Sequence, residues 1–83
     1  MKTHFTKIRF VPSKKLKDYA GMNKYAAKSL GYPLKEDIIL VDESMTREEK
    51  NRTIKHEMIE RSLMKKGMTY WKAHRIALSK ESD

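Results

Sequence analysis

The run His56-Glu57-Met58-Ile59-Glu60 sets a histidine and a carboxylate four residues apart, with a second carboxylate directly after the histidine. On a helix, residues at that spacing share a face, so His56 and Glu60 can grip one metal ion together. In the His-Glu-x-x-His form of the pattern the flanking residues bind zinc and the inner Glu acts as general base toward water; Glu57 has that position here. The chain has no cysteine, so any further ligand must be histidine or carboxylate. His74 falls among Tyr70, Trp71, Ala77 and Leu78 on a helical wheel, with Glu81 nearby on the same face. A chain reversal at Gly67 would bring His74 to His56 and Glu60. Two histidines and a carboxylate form the ligand set of several catalytic zinc sites and of non-haem iron centres, and the set alone does not name the metal. Tyr70 is the candidate donor to a developing oxyanion. A plainer reading of the same residues pairs Glu57 with Arg61 one turn on, leaves Glu60 as a solvated helix charge, and makes His74 a satisfied core histidine.

These side chains need elements to hold them. The segment from His4 to Val11 alternates Thr6, Ile8 and Phe10 with Lys7 and Arg9, the pattern of a half-exposed strand that Pro12 ends. Ser13 can cap a helix running to about Leu30, since Leu16, Tyr19, Ala20, Ala26, Ala27 and Leu30 recur at helical spacing before Gly31-Tyr32-Pro33. Asp37 to Asp42 encloses Ile38-Ile39-Leu40-Val41, which reads as a central strand covered on both faces. Thr46 and Glu49 form a capping box that opens a helix over about 47–66, with Gly67 as its stop, and Thr69 opens a third helix to about Lys80. On the helical wheel Leu63 lies about 20° from His56, and Ile59 and Met64 flank the His56–Glu60 pair at about 40–60° on either side, so the motif faces apolar neighbours. The expected fold is α+β: a single small domain over 1–83, minimal β-α-β-α-α, with a small sheet, helix one as crossover, and helices two and three packed beside it. Within it 37–66 supplies a strand and the metal-binding helix, and 69–80 the third helix. Trp71 and Tyr70 are expected in the core, and His4 as an ordinary strand residue.

The 83 residues carry a formal charge of +8, distributed unevenly. Residues 1–35 are strongly basic, 36–60 acidic and 61–83 basic again. Lys7, Arg9, Lys14, Lys15, Lys17, Lys24 and Lys28 make the first part a candidate nucleic-acid-binding surface, the rival functional reading, although no base-reading motif accompanies them. The longest apolar run, Ile38–Val41, is far short of the roughly 20 residues that span a bilayer, and the opening Met1-Lys2-Thr3-His4 begins no signal peptide. A cytoplasmic protein without membrane partners is expected.

The unit Asp37-Ile38-Ile39-Leu40-Val41-Asp42, Thr46-Arg47-Glu48-Glu49 and Thr53-Ile54-Lys55-His56-Glu57 resembles the strand and active-site helix of zincin metallopeptidases, particularly the small ImmA/IrrE-like ones. The resemblance covers roughly residues 37–61. It implies a zinc ion bound by His56, water activated by Glu57, a peptide substrate, and a strand that edges the cleft and aligns that substrate. Glu60 departs from the family, which has histidine there; an extra anionic ligand lowers the Lewis acidity of the ion, while His74 would restore two histidines and one carboxylate. The stretch from Leu63 to His74 is similar to small proteins of archaea and their mobile elements, a likeness that implies no activity.

Overall fold

The computed structural model describes residues 7–17 and 19–81. A five-residue strand, β1 (Lys7–Val11), runs parallel to β3 (Ile38–Asp42), with Lys7 opposite Ile38 and Val11 opposite Asp42. A two-residue strand, β2 (Gly21–Met22), pairs antiparallel to the other side of β3, giving the order β1-β3-β2. The continuous apolar run is therefore the middle strand, and Ile38, Ile39, Leu40 and Val41 are all buried, as both-faced coverage requires. β1 lies at the sheet edge, where not only Lys7 and Arg9 but also Ile8 and Phe10 stay exposed. His4 and the start of the expected first strand lie outside the described residues.

The expected helix from Ser13 to Leu30 does not form as one element. A 3-10 turn over Ser13–Leu16 ends at Lys17, whose φ of 57° is left-handed; β2 follows, and only then α1 (Lys24–Leu30). Three separate segments send Leu16, Met22, Ala26 and Ala27 into one cluster with Ile38, Leu40 and Tyr70, whereas Tyr19 and Ala20, which completed the helical period in the sequence, are exposed. Gly21 marks the break: a Cβ there would stand 2.7 Å from Thr53 Cγ2 and 3.1 Å from Glu57 Cγ. The backbone passes close over the motif helix, and only glycine fits.

Helix α2 (Arg47–Lys65) opens on the expected capping box: the Thr46 hydroxyl accepts from the Glu49 N–H, and the Glu49 carboxylate accepts from the Thr46 N–H. Gly67, at φ 106°, reverses the chain, and α3 (Tyr70–Lys80) returns along α2. The antiparallel sense is visible in the side chains: Glu60 meets His74, and His56, one turn further back, meets Glu81, further on. The inward face of α3 carries Tyr70, Ala73 and Ala77. Trp71, expected in the core, is 71% exposed, and Leu78 is half exposed. One residue is about 100° on a helix, so with Tyr70 turned inward its neighbour is carried round to the surface. Among the described residues no helix is long and apolar enough to cross a membrane.

Candidate metal centre

α2 and α3 bring His56, Glu60 and His74 to one point. Glu60 is 1% exposed, so it is no solvated helix charge. Its Oε2 lies 3.0 Å from His56 Nε2 and 2.8 Å from His74 Nδ1, and the two nitrogens are 3.2 Å apart. The two imidazoles meet edge to face, and Tyr70 stacks on His74 with centroids 5.2 Å apart. Arg61 does not pair with Glu57; its guanidinium forks onto Asp37 at 2.8 and 2.6 Å, tying α2 to the start of β3.

Glu81 decides how His56 presents itself. Its Oε2 lies 2.7 Å from His56 Nδ1, and an ionised carboxylate only accepts, so Nδ1 is assigned the hydrogen and Nε2 the lone pair. That lone pair faces an acceptor oxygen and a second imidazole nitrogen. The His56–Glu60 contact sets two acceptors together unless a cation is present, whereas His74 can meet Glu60 as a neutral Nδ1–H donor. Burial would pull the His56 imidazole down, but the hydrogen bond to Glu60, the charges of Glu57 and Glu60 and the hydrogen bond to Glu81 outweigh it and hold the pKa at about 9. Without metal the group therefore keeps a proton at neutral pH. With bonds of about 2.0–2.1 Å, the donors of a tetrahedral ion stand about 3.3 Å apart, slightly wider than the triangle held here by hydrogen bonds. The group of buried His56 and Glu60 with half-buried His74 is thus within ligand distance and compatible with a metal ion.

Glu57, the next position on α2, is buried and lines the same cleft. Burial and the charge of Glu60 push its carboxyl up to about 7, against the hydrogen bond from Asn23 and the charge of His56. A group poised there can both take and return a proton near neutrality. Asn23 caps α1 and donates to Glu57 Oε1 at 2.9 Å and to Glu60 Oε1 at 3.2 Å. A cleft of about 290 Å³ opens onto these groups, lined also by Tyr19, Met45, Arg52, Tyr70 and Leu78. Burial, then the charges of Glu60 and Glu57, raise the Tyr70 hydroxyl to about 12, so it remains a neutral donor. The strand beside the cleft is not β3, which is paired on both edges, but β2, whose Gly21 and Met22 line it. The expectation that the Ile38–Val41 strand edges the cleft is corrected accordingly: a third strand, too short to announce itself, occupies that side.

Lys7, Arg9, Lys14, Lys15, Lys17, Lys24 and Lys28 are all exposed, spread over β1, the 3-10 turn and α1. Arg9 approaches Glu36 at 4.0 Å. None of the seven lines the cleft. Two residues that hold the centre had no role in the sequence reading. Asn23 was hidden inside the supposed first helix, although Asn followed by Lys24-Tyr25-Ala26-Ala27 is an ordinary N-cap signal. Glu81 stood on the right face of α3, but its partner is 25 residues away and no local spacing reveals it. Comparison with protein-family models, with curated proteins and with solved structures finds no match to this chain.

Proposed function

We propose that this chain binds one zinc ion through His56, Glu60 and His74 and hydrolyses a peptide or amide bond in the cleft above them, as a minimal zincin-like enzyme. The observation that carries the reading is the hydrogen bond from His56 Nδ1 to Glu81, which turns the Nε2 lone pair toward Glu60 and His74. Zinc bound there would supply Lewis acidity toward the scissile carbonyl. Glu57, beside His56 in the sequence and lining the cleft, removes a proton from the attacking water and returns it to the leaving amine. The neutral Tyr70 hydroxyl donates to the oxyanion as it develops. The peptide or amide substrate rests on the resemblance of residues 37–61 to zincins.

Elemental analysis of protein purified without a histidine tag, followed by zinc titration, tests the metal. One zinc per chain is expected, with His56→Ala losing it; unchanged affinity in that variant rejects the site. Glu57→Gln is expected to retain zinc while any hydrolysis falls by about 10²–10⁴-fold, the usual worth of a general base.

A second reading has its own support, the exposure of all seven basic side chains from Lys7 to Lys28. They would bind DNA or RNA weakly and without sequence preference, by counterion release, and affinity would fall steeply with added salt. An anisotropy titration at low salt decides it: absence of binding removes this reading, and tight sequence-selective binding would make it the main one.

A further inference from the structure

Asn23 is completely buried and both of its polar atoms are committed. Oδ1 accepts from the Ala26 N–H at 2.9 Å and caps α1. Nδ2 therefore faces α2, and its hydrogens go to Glu57 Oε1 at 2.9 Å and Glu60 Oε1 at 3.2 Å. Carboxylates accept and a backbone N–H donates, so flipping the amide would mismatch all three contacts. Glu60 is thereby divided: Oε1 is held toward α1, and Oε2 alone meets the two imidazoles.

We infer that Asn23 is a positioning residue that makes Glu60 a one-oxygen ligand and so sets the coordination number at the centre. The inference rests on the metal-binding reading above. A carboxylate with both oxygens free can chelate a divalent ion and raise its coordination number. With Oε1 occupied by a buried amide, Glu60 offers one donor, and His56 and His74 bring the protein's total to three. Three protein donors and one open position is the arrangement of catalytic rather than structural zinc sites. The same nitrogen steadies Glu57, so both carboxylates of the motif are held from a single point on α1, far from them in sequence.

Cobalt(II) loaded in place of zinc reports coordination number through its visible absorption, intense when four-coordinate and weak at five or six. Two variants separate positioning from capping. Asn23→Ser keeps a capping oxygen but has no amide to offer the carboxylates, and Asn23→Asp keeps both the cap and the shape while replacing the donor with an oxygen. Wild type is expected to take up one cobalt per chain with the intense band. Each variant that retains the helical circular-dichroism signal should bind cobalt and lose the intense band. Asn23→Asp carries the comparison should Asn23→Ser unfold. A wild-type intensity in a folded variant would overturn the inference, because a mere helix cap leaves the spectrum unmoved. A weak band in wild type overturns it while leaving the metal reading intact; wild type that takes up no cobalt in equilibrium dialysis defeats both.

Discussion

A neutral imidazole has one N–H and one lone pair, and at His56 the choice between them is made by Glu81. The carboxylate accepts at Nδ1, leaving Nε2 free for a cation, and holds the ring in the plane that reaches Glu60 and His74. Groups that orient a metal-binding histidine typically contribute about 10–100-fold in affinity. Glu81→Ala should therefore weaken zinc binding by roughly that factor. Glu81→Gln, whose carbonyl oxygen still accepts from Nδ1–H, should bind much nearer to wild type. Competition titration with a chelating dye reads both, and equal affinity for all three proteins would reject the orienting role. The spacing of His56 and Glu60 was open to a reader of the sequence because both lie on one helix. The orientation of the ring was not, because it depends on a carboxylate at the far end of another helix.

At the level of elements, the centre depends on how closely β2 approaches α2. Gly21 lies against Thr53 and Glu57, and a methyl group added there meets Thr53 Cγ2 at 2.7 Å, below any ordinary contact. Thr53 has a second rotamer open to it on a helix, but Glu57 Cγ and the Leu40 carbonyl oxygen also stand 3.1 Å from the added carbon, so relief requires β2 to shift. Gly21→Ala should cost about 1–3 kcal/mol in urea denaturation, as overpacking does, and also weaken zinc binding because Asn23 moves with β2. A stability within a few tenths of a kcal/mol of wild type would show that the approach yields. The same region marks where sequence reasoning failed. The α2 start was legible because Thr46 and Glu49 satisfy each other locally, and the turn into α3 because Gly67 takes a left-handed φ. The Ile38–Val41 strand was legible because four consecutive apolar residues need cover on both faces. The stretch from Ser13 to Leu30 was not, since its break at Gly21 answers to contacts with β3 and α2 rather than to neighbours in sequence.

For the whole molecule, one buried charge cluster links stability to pH and, on the proposed reading, to metal. The folded metal-free chain holds protons that the unfolded chain has released: His56 is raised from 6.5 to about 9, and Glu57 from 4.5 to about 7. Both shifts are upward, so the native state binds more protons and stability falls as pH rises. The His56 contribution is fully present below 6.5 and lost through about 9; that of Glu57 is present below 4.5 and lost through about 7. The Asp37 carboxyl, held below its usual 3.8 by its hydrogen bond to Arg61 and by nearby positive charges, acts in the opposite sense but only in acid. On the proposed reading zinc would reverse the trend between pH 6 and 8, because it would replace the His56 proton and bind more tightly as that proton becomes easier to remove. At a free concentration 100 times its dissociation constant a ligand specific for the native state adds about 2.7 kcal/mol. In a domain of this size that corresponds to a rise in melting temperature of roughly 10–20 °C. Melts with EDTA should thus show a lower transition at pH 8 than at pH 6, and melts with micromolar zinc a larger zinc-induced rise at pH 8. His56→Ala should flatten the first slope and remove the second effect. A melting temperature indifferent to zinc at both pH values, or an equal zinc shift in His56→Ala, would sever the proposed link between this cluster and the fold.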